Sequence, residues 1–536
     1  MPTKKAVKLL LALIIILSSF YCGISKEPNV GEPAAYIGMR GYHNVNSDTT
    51  INNYFQTGLT KFKLNDYSHA LIDFKEAIKQ SPNNSKIYRF KGEAERKLKM
   101  YGDAELSYAS AISFNKNDTI SIKGRADVRR FRGNAIGAIE DYNKLIEWGL
   151  RDVTLYFGRA LCYYTLKLYE ESVLDFNYCL ELYPKAAIIY LNRGNVYYDL
   201  KNYKMAIRDF TMSMNLGGEI EANYLRGMAY FFLLKADNAI ADLTKYLSKS
   251  ENESRGYVAL GRAYSLKKDS TQVRANFVKA LTISPDVYEI YYCWGEAEIN
   301  LRNYSKAKEL LIKALNMGDS SSVLYERLGV AQAMLHDTTG ALTSFKRALD
   351  KDSTNKDVYQ SRINLLLNNK KSLDQLMRDV TSLIKLNTDS FVVSQKYTLR
   401  SLFNFHLGDT LKAKLDANKA VQLAPNEPYP YAMRAVVSWL FKQPKELILK
   451  DLNRAIKLDN LFMEAYMVRA QIYASIAEYK KGCKDLNIAV KLGASVSREQ
   501  KNYICTGQVS SNGPEPEIIF TIDPPKERLS ERWKKK

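Results

Sequence analysis

The sequence predicts an all-α chain, a solenoid of about thirteen stacked helical hairpins, and three observations carry that expectation. Small residues return every 34 positions along most of the chain, prolines fall at one phase of the same period, and arginine and aspartate recur as pairs sixteen residues apart. A period of this length marks repeat architectures, in which each unit buries its apolar face only by stacking on a neighbour.

Written in rows of 34 from Ile51, the chain places a small residue at row position 8: Gly58, Gly92, Ala126, Ala160, Gly194, Gly227, Gly261, Gly295, Gly329, Ser401, Ala435 and Ala470. Position 20 is small again in Ala70, Ala104, Ala138, Ser172, Ala206, Ala239, Ala307, Ala341 and Ala413, and position 27 in Ala77, Ala111, Ala280, Ala314, Ala348, Ala420, Ala455 and Ala489. Between them, position 24 carries Phe74, Tyr108, Tyr142, Phe176, Phe210, Phe277 and Phe345. In the fifth row Tyr190, Gly194 and Tyr197 follow the i, i+4, i+7 spacing of one buried helix face. Small residues on that face let a second helix approach, and the aromatic at position 24 fills the space beside them. Pro82, Pro184, Pro285 and Pro425 all stand at position 32, where proline, lacking a donor and clashing with the preceding turn, ends the second helix.

This pattern resembles the tetratricopeptide repeat, a helix–turn–helix unit with small residues at 8, 20 and 27 and an aromatic at 24. The resemblance covers residues 51–496 and implies a right-handed superhelical solenoid of about thirteen such hairpins. The fifth row is one residue short. The row from Lys356 to Asp389 has Asn364 and Leu376 near its small-residue positions, with Asn368-Asn369-Lys370-Lys371 between, so the tenth unit is the expected irregularity or bend. A closing helix is expected within 497–510, from Arg498 to Thr506, where stacking ends. Residues 511–536, with Pro514, Pro516, Pro524, Pro525 and Lys534-Lys535-Lys536, read as a disordered basic tail without a core.

The third periodicity needs no family. Arg125/Asp141, Arg159/Asp175, Arg193/Asp209, Arg226/Asp242, Arg400/Asp416 and Arg469/Asp485 are sixteen apart, at positions 7 and 23, and Arg434/Asp451 and Arg362/Asp379 fit with one inserted loop residue. Repetition in eight units marks them as ion pairs fixing the geometry of each helix pair rather than as ligand contacts.

A formal charge of +20 points to anionic partners or surfaces, while 25% charged and 11% aromatic residues belong to a folded chain and not to a disordered polycation. Lys4, Lys5 and Lys8 precede an apolar run from Leu9 to Leu17 and then Ser18 and Ser19, the order of a secretory signal, and the run is short for a bilayer span. Residues 1–25 are therefore expected to be a signal peptide and 26–50 a flexible tether, which makes the protein exported, an outer-membrane lipoprotein or a periplasmic protein of the cell envelope. Two readings of the junction stand. Cys22 lies where bacterial lipoprotein signals place the lipidated cysteine, although Tyr21 and Ser19 depart from that pattern, and cleavage after Ser25, with Gly23 and Ser25 as the small pair, would release a soluble protein. Six dispersed cysteines build neither a disulfide scaffold nor a metal site, and no CxxC or Cys/His cluster suggests zinc. In an oxidising compartment Cys483 and Cys505 could bridge the last repeat to the closing helix, while buried free thiols suit the other cysteines.

In tetratricopeptide arrays the first helices line a concave groove, and the resemblance implies that positions 2, 5, 9, 12 and 13 face a bound peptide. These positions also share the helix face opposite the buried stripe. Rows two and three supply Lys86, Arg89, Arg96, Lys97, Lys123 and Arg130, with Glu93 and Asp127 among them. Rows four to six supply Phe157, Tyr164, Tyr198, Tyr224, Phe231 and Phe232. A cationic stretch running into an aromatic one suits an extended, acidic and apolar segment. The groove asparagine of some superhelical arrays occurs only as Asn192, and the lysine–asparagine clamp of cochaperones has no matching set beyond Lys123 and Asn195.

No GxSxG, HExxH, phosphate loop or dinucleotide fingerprint is present, and His43, His69, His336 and His406 lie far apart, so neither catalysis, a cofactor nor a small-molecule substrate is expected. The signal sequence argues against nucleic acid as a partner, since the basic residues follow a repeat groove and a tail. The reading is a non-catalytic protein-interaction scaffold or assembly factor of the bacterial cell envelope. The alternative is a periplasmic binding protein for anionic or glycan polymers.

Overall fold

A computed structural model describes residues 53–368 and 373–508, and within them the chain forms 27 α-helices and no strand. The segments expected as signal peptide, tether and tail, with Cys22 among them, lie outside the described residues, as does the loop 369–372.

Two compact units divide after Met317. The first contains eight hairpins: α1 (Asn53–Lys63) with α2 (Tyr67–Gln80), α3 (Ser85–Lys97) with α4 (Tyr101–Phe114), α5 (Thr119–Phe131) with α6 (Ala135–Glu147), α7 (Val153–Thr165) with α8 (Tyr169–Leu182), α9 (Ala187–Asp199) with α10 (Tyr203–Asn215), α11 (Glu221–Phe232) with α12 (Ala236–Leu247), α13 (Ser254–Leu266) with α14 (Ser270–Ile283), and α15 (Tyr288–Asn300) with α16 (Tyr304–Asn316). The second contains five: α17 (Ser322–Met334) with α18 (Thr338–Lys351), α19 (Lys356–Asn368) with α20 (Leu373–Leu386), α21 (Ser390–His406) with α22 (Thr410–Leu423), α23 (Pro428–Leu440) with α24 (Lys445–Leu458), and α25 (Met463–Ser475) with α26 (Tyr479–Lys491). Thirteen hairpins are thus present, each packed on its successor within a unit, and the all-α solenoid fold is the one the period predicts.

Local chemistry sets the helix ends. Asp66, Asp118, Asn134, Asn202, Asp269, Asp337 and Asp409 accept a backbone N–H of the first turn of the second or first helix they precede. The turn inside each fully described hairpin closes through one residue of positive φ, and that residue is glycine only at Gly133 and Gly408; Lys99 (φ 59°), Leu234 (φ 57°) and Arg302 (φ 61°) hold the same conformation elsewhere. In the second hairpin Met100 N–H reaches Glu95 C=O at 2.8 Å and Lys99 N–H reaches Arg96 C=O at 3.0 Å, so the left-handed residue satisfies the carbonyls at the end of α3. Pro82, Pro184, Pro285 and Pro425 each follow a second helix by two residues.

The core is distributed along each unit. Phe74, Phe176, Phe210, Phe277 and Phe345 and Tyr108 and Tyr142 are fully buried. A Cβ added at Gly194 would stand 2.6 Å from Phe210, and one at Gly329 2.6 Å from Phe345, so glycine at position 8 makes room for the ring sixteen residues later. Where that ring is tyrosine, its hydroxyl extends into the next hairpin and meets a glycine there: Gly124 lies against Tyr108, and Gly158 against Tyr142, whose Oη would be 2.5 Å from an added Cβ. Tyr142 Oη in turn donates to Asp127 Oδ1 at 2.6 Å.

All eight expected Arg/Asp pairs form, and each is bidentate, with Nε and Nη2 donating to the two carboxylate oxygens at 2.6–2.9 Å. The remaining Nη1 looks backward: Arg159 donates to Asn143, Arg193 to Asn177 and Arg469 to Asn453, each at 2.6 Å and sixteen residues earlier. Each of these three arginines therefore ties three helices from two hairpins. Arg193 is also held between the rings of Tyr190 and Tyr197, at 5.6 and 5.8 Å.

In the tenth unit, α19 and α20 flank the undescribed loop, and α21, which follows, has 17 residues where the other hairpin helices have 11 to 14. Helix α27 (Arg498–Thr506) ends the second unit behind a Ser497/Gln500 capping box, with Ile504 buried and Gly507 left-handed at its C-terminus. Cys483 on α26 and Cys505 on α27 form a disulfide, whereas Cys162 and Cys179 are buried free thiols.

Candidate functional site

The first helices of the first unit carry the candidate residues. On α3, Lys86 and Lys97 are exposed, and they and the half-buried Lys123 of α5 make no ion pair among the described residues. The arginines of the same stretch are engaged. Arg89 lies 3.6 Å from Asp118 with its guanidinium 5.1 Å from the Phe90 ring, and Arg96 pairs with Glu93 at 3.3 Å. Arg130 sits 4.3 Å from the Phe131 ring, with its Nε buried; burial opposes its charge, but Tyr142 and Asp127 hold it protonated. The cationic stretch is therefore three lysines at the surface and three arginines tied into the packing.

The aromatic stretch divides in a similar way. Phe157 is a correction to the expected groove: it is 4% exposed and packs edge-on against Phe176 at 5.7 Å, because the turn of α7 that carries it faces the hairpin core. Tyr164 is half-buried and donates from Oη to Asp199 Oδ2 at 2.7 Å, and burial raises the pKa of both groups. Tyr198, Phe232 and Tyr203 form a ring cluster, with Tyr203 and Phe232 stacked at 5.0 Å and Tyr198 edge-on to both at 5.5 and 5.9 Å. Phe231 adjoins Phe232 at 5.4 Å, and Tyr224 lies 5.3 Å from Tyr246.

Two residues outside the expected set complete this surface. Helix α13 places Arg255 and Arg262 at positions 2 and 9 of the seventh row, seven residues and two turns apart on one face. Arg255 is held through Nη1 and Nη2, which donate to Glu221 Oε1 and Oε2 at 3.0 and 2.8 Å and to Tyr246 Oη at 2.8 Å, with its plane 4.8 Å from the Tyr224 ring, while its Nε is buried without a hydrogen-bond partner. Arg262 is stacked on Phe231 at 4.7 Å and near Phe232 at 6.0 Å, and it forms an ion pair with Glu296 at 3.8 Å, too long for a hydrogen bond. A cleft between α11, α13 and α15 is lined by Tyr224, Met228, Arg255, Val258, Arg262 and Glu289. The rule that selected the aromatics of rows four to six also selects these arginines once it is applied to row seven.

Among the described residues no group of histidine, cysteine, aspartate or glutamate has metal-binding geometry, and no helix is long and apolar enough to cross a membrane.

A family model described as Tetratricopeptide repeat matches residues 51–84, 153–185 and 187–211. The chain is 33% identical over 129 residues, 24% of its length, to TPR repeat-containing protein MJ1428 of Methanocaldococcus jannaschii. It is 22% identical over 274 residues, 48% of its length, to protein O-mannosyl-transferase TMTC3 of Homo sapiens. These stretches span 22% and 28% of the two relatives' lengths. Among solved structures, yeast Tom70 is similar over 82% of this chain and 97% of that one, with 16% identity and a TM-score of 0.37. A tetratricopeptide repeat protein from Parabacteroides merdae is similar over 52% of this chain and 97% of that one, with 18% identity and a TM-score of 0.31.

Proposed function

Because the chain is a tetratricopeptide repeat protein, we propose that it is a non-catalytic scaffold or assembly factor of the bacterial cell envelope, which holds partner proteins by extended segments laid along the first helices of its first unit. The observation that carries this reading is the cleft between α11, α13 and α15, where Tyr224, Arg255 and Arg262 from neighbouring first helices meet on one surface. Rings and guanidinium planes of this kind bind peptide side chains at low entropic cost because packing already fixes them.

Export is supported by the charged and apolar opening of the sequence and by the Cys483–Cys505 disulfide, a bond that persists in oxidising compartments. Attachment would run through Cys22, and cleavage after Ser25 is the competing route. Palmitate labelling abolished by Cys22→Ser supports the anchor, and a mature N-terminus at Lys26 supports release.

The test of the scaffold reading is affinity capture from envelope extracts with the tagged mature protein, beside a Lys86→Glu/Lys97→Glu/Lys123→Glu variant. These three lysines have no ion pair to break among the described residues, so the variant keeps its helix content, whereas reversing Arg89 or Arg130 would disrupt packing. A discrete set of envelope proteins supports the reading, and its loss in the variant extends the binding surface to hairpins two and three. Polysaccharide or lipid without a protein partner refutes it.

A further inference from the structure

Resting on the peptide-binding reading, we infer that Arg262 is the specificity-determining residue of the first unit's cleft and that it receives a single side-chain carboxylate, from an extended segment whose neighbouring residues are aromatic or large and apolar.

The argument compares two arginines on one helix. The terminal nitrogens of Arg255 are bound to Glu221 and Tyr246 and its Nε is buried, so its fork is closed to a ligand and it is part of the wall. Arg262 donates no hydrogen bond from its side chain among the described residues, although the side chain is only 14% exposed. None of the Arg262 nitrogens is buried without a partner, so they stay open to solvent and to an acceptor closer than Glu296, and the fork matches a carboxylate bidentately. Its orientation is already fixed, because one face rests on Phe231 at 4.7 Å, so little rotamer entropy remains to be lost on binding.

The surroundings limit what else the occupant carries. Glu221, Glu289 and Glu296 are near the same two arginines, so a run of acidic residues would meet like charge along its length, while one carboxylate meets it chiefly from Glu296 and binds the guanidinium between them. On the other side lie the rings of Tyr198, Phe231 and Phe232, which offer area to an apolar or aromatic side chain. In an extended segment, side chains two residues apart point to the same face, which places a carboxylate and an apolar group on one side of the peptide at a spacing of about 7 Å. This narrows the acidic and apolar partner expected from the sequence to one acid beside apolar residues.

The experiment selects peptides from a random display library on the purified mature protein, then measures fluorescence anisotropy of the synthetic consensus peptide and of its Glu→Gln or Asp→Asn version. Enrichment of one acidic residue within two positions of an aromatic or large apolar residue is expected. The amide version should bind on the order of tenfold to a hundredfold more weakly, the range of a lost charge-assisted hydrogen-bond pair. The acidic peptide should lose the same factor on Arg262→Gln, less on Arg262→Lys, and nothing on Lys346→Gln, an exposed residue of α18. Substitution within the peptide keeps the test independent of how the protein variants fold. Enriched peptides lacking a carboxylate, or equal affinity for acid and amide, would overturn the assignment of Arg262 and leave the peptide-binding reading intact. Failure to enrich any peptide would overturn both.

Discussion

Replacing Asp209 by asparagine should destabilise the fifth hairpin by about 3–5 kcal/mol, because it leaves a mostly buried guanidinium without its counter-charge. Asp209 is 1% exposed and Arg193 16%, and two charge-assisted bonds of 2.7 and 2.8 Å join them. Each such bond contributes about 1.5–3 kcal/mol, of which the asparagine carbonyl recovers part of one, giving a loss near the lower end of that range. Asn177 and the Tyr190 and Tyr197 rings continue to hold Arg193, so the cost arises from charge and not from collapse. Arg193→Met should cost as much or more, since it strands a carboxylate. At the preceding rung, burial pushes Asp175 above the ordinary carboxylate value in spite of Arg159, so desolvation is not fully offset by pairing there. The double variant Arg193→Met/Asp209→Leu should therefore recover most of the loss or exceed wild type. Repeat arrays open locally, so amide exchange across α9 and α10 should accompany urea unfolding followed by circular dichroism. Single variants within about 0.5 kcal/mol of wild type, the scale of an ordinary surface substitution, would refute the structural role, as would a double variant no better than the worse single. Intact stability with lost partner binding would instead mark the ladder as a binding surface.

Three further outcomes follow from the packing. Gly158→Ala should cost about 1–3 kcal/mol by overpacking against Tyr142, and less in a Tyr142→Phe background, where the hydroxyl at 2.5 Å is gone; equal cost in both backgrounds by urea titration would refute the coupling. Leu234→Gly should stabilise the sixth hairpin by about 0.5–1 kcal/mol, because Leu234 is 75% exposed and sits at φ 57°, and a lower urea midpoint would refute that. Burial favours the neutral form of Glu105, but Arg129 and Arg132 outweigh it and hold its pKa below the ordinary 4.5. The stability it contributes is thus present above pH 4.5 and lost as pH falls through the lower folded value, so Glu105→Gln should flatten the acid limb of the unfolding profile, and an unchanged limb would refute the pairing.

The hairpin count, the prolines that follow second helices and the eight ion pairs were legible because each depends on residue type at a fixed spacing, which a repeat multiplies into a pattern. The asparagines that complete the ladder, Asn143, Asn177 and Asn453, repeat at the same sixteen-residue interval, but their partner lies in the following hairpin and only stacking reveals it. The same holds for Gly124 and Gly158, which answer tyrosines of the preceding hairpin. Groove positions were less legible. Position 5 is Phe157 in one hairpin and Tyr224 in another, yet the first is core and the second lines the cleft, because a helix near the packing boundary turns a residue inward or outward by a small rotation that spacing alone does not fix.

What makes an arginine of the ladder structural is the residue sixteen positions later. Arg125, Arg159, Arg193 and Arg226 stand at position 7, meet an aspartate at position 23, and are consumed by the fold. In the seventh to ninth hairpins position 7 becomes Leu260, Trp294 and Leu328 and position 23 becomes Asn276, Leu310 and Ser344, so the ladder is interrupted there. Arginine returns in the seventh hairpin two residues out of phase, as Arg262, whose residue sixteen later is the exposed Val278 and whose own helix turns it onto Phe231. A two-residue displacement on a helix is a rotation of about 200°, enough to carry the guanidinium from one face to the other. Moving an aspartate to position 278 would not recapture Arg262 for this reason: the ladder needs both the partner and the phase, and Arg262 has neither.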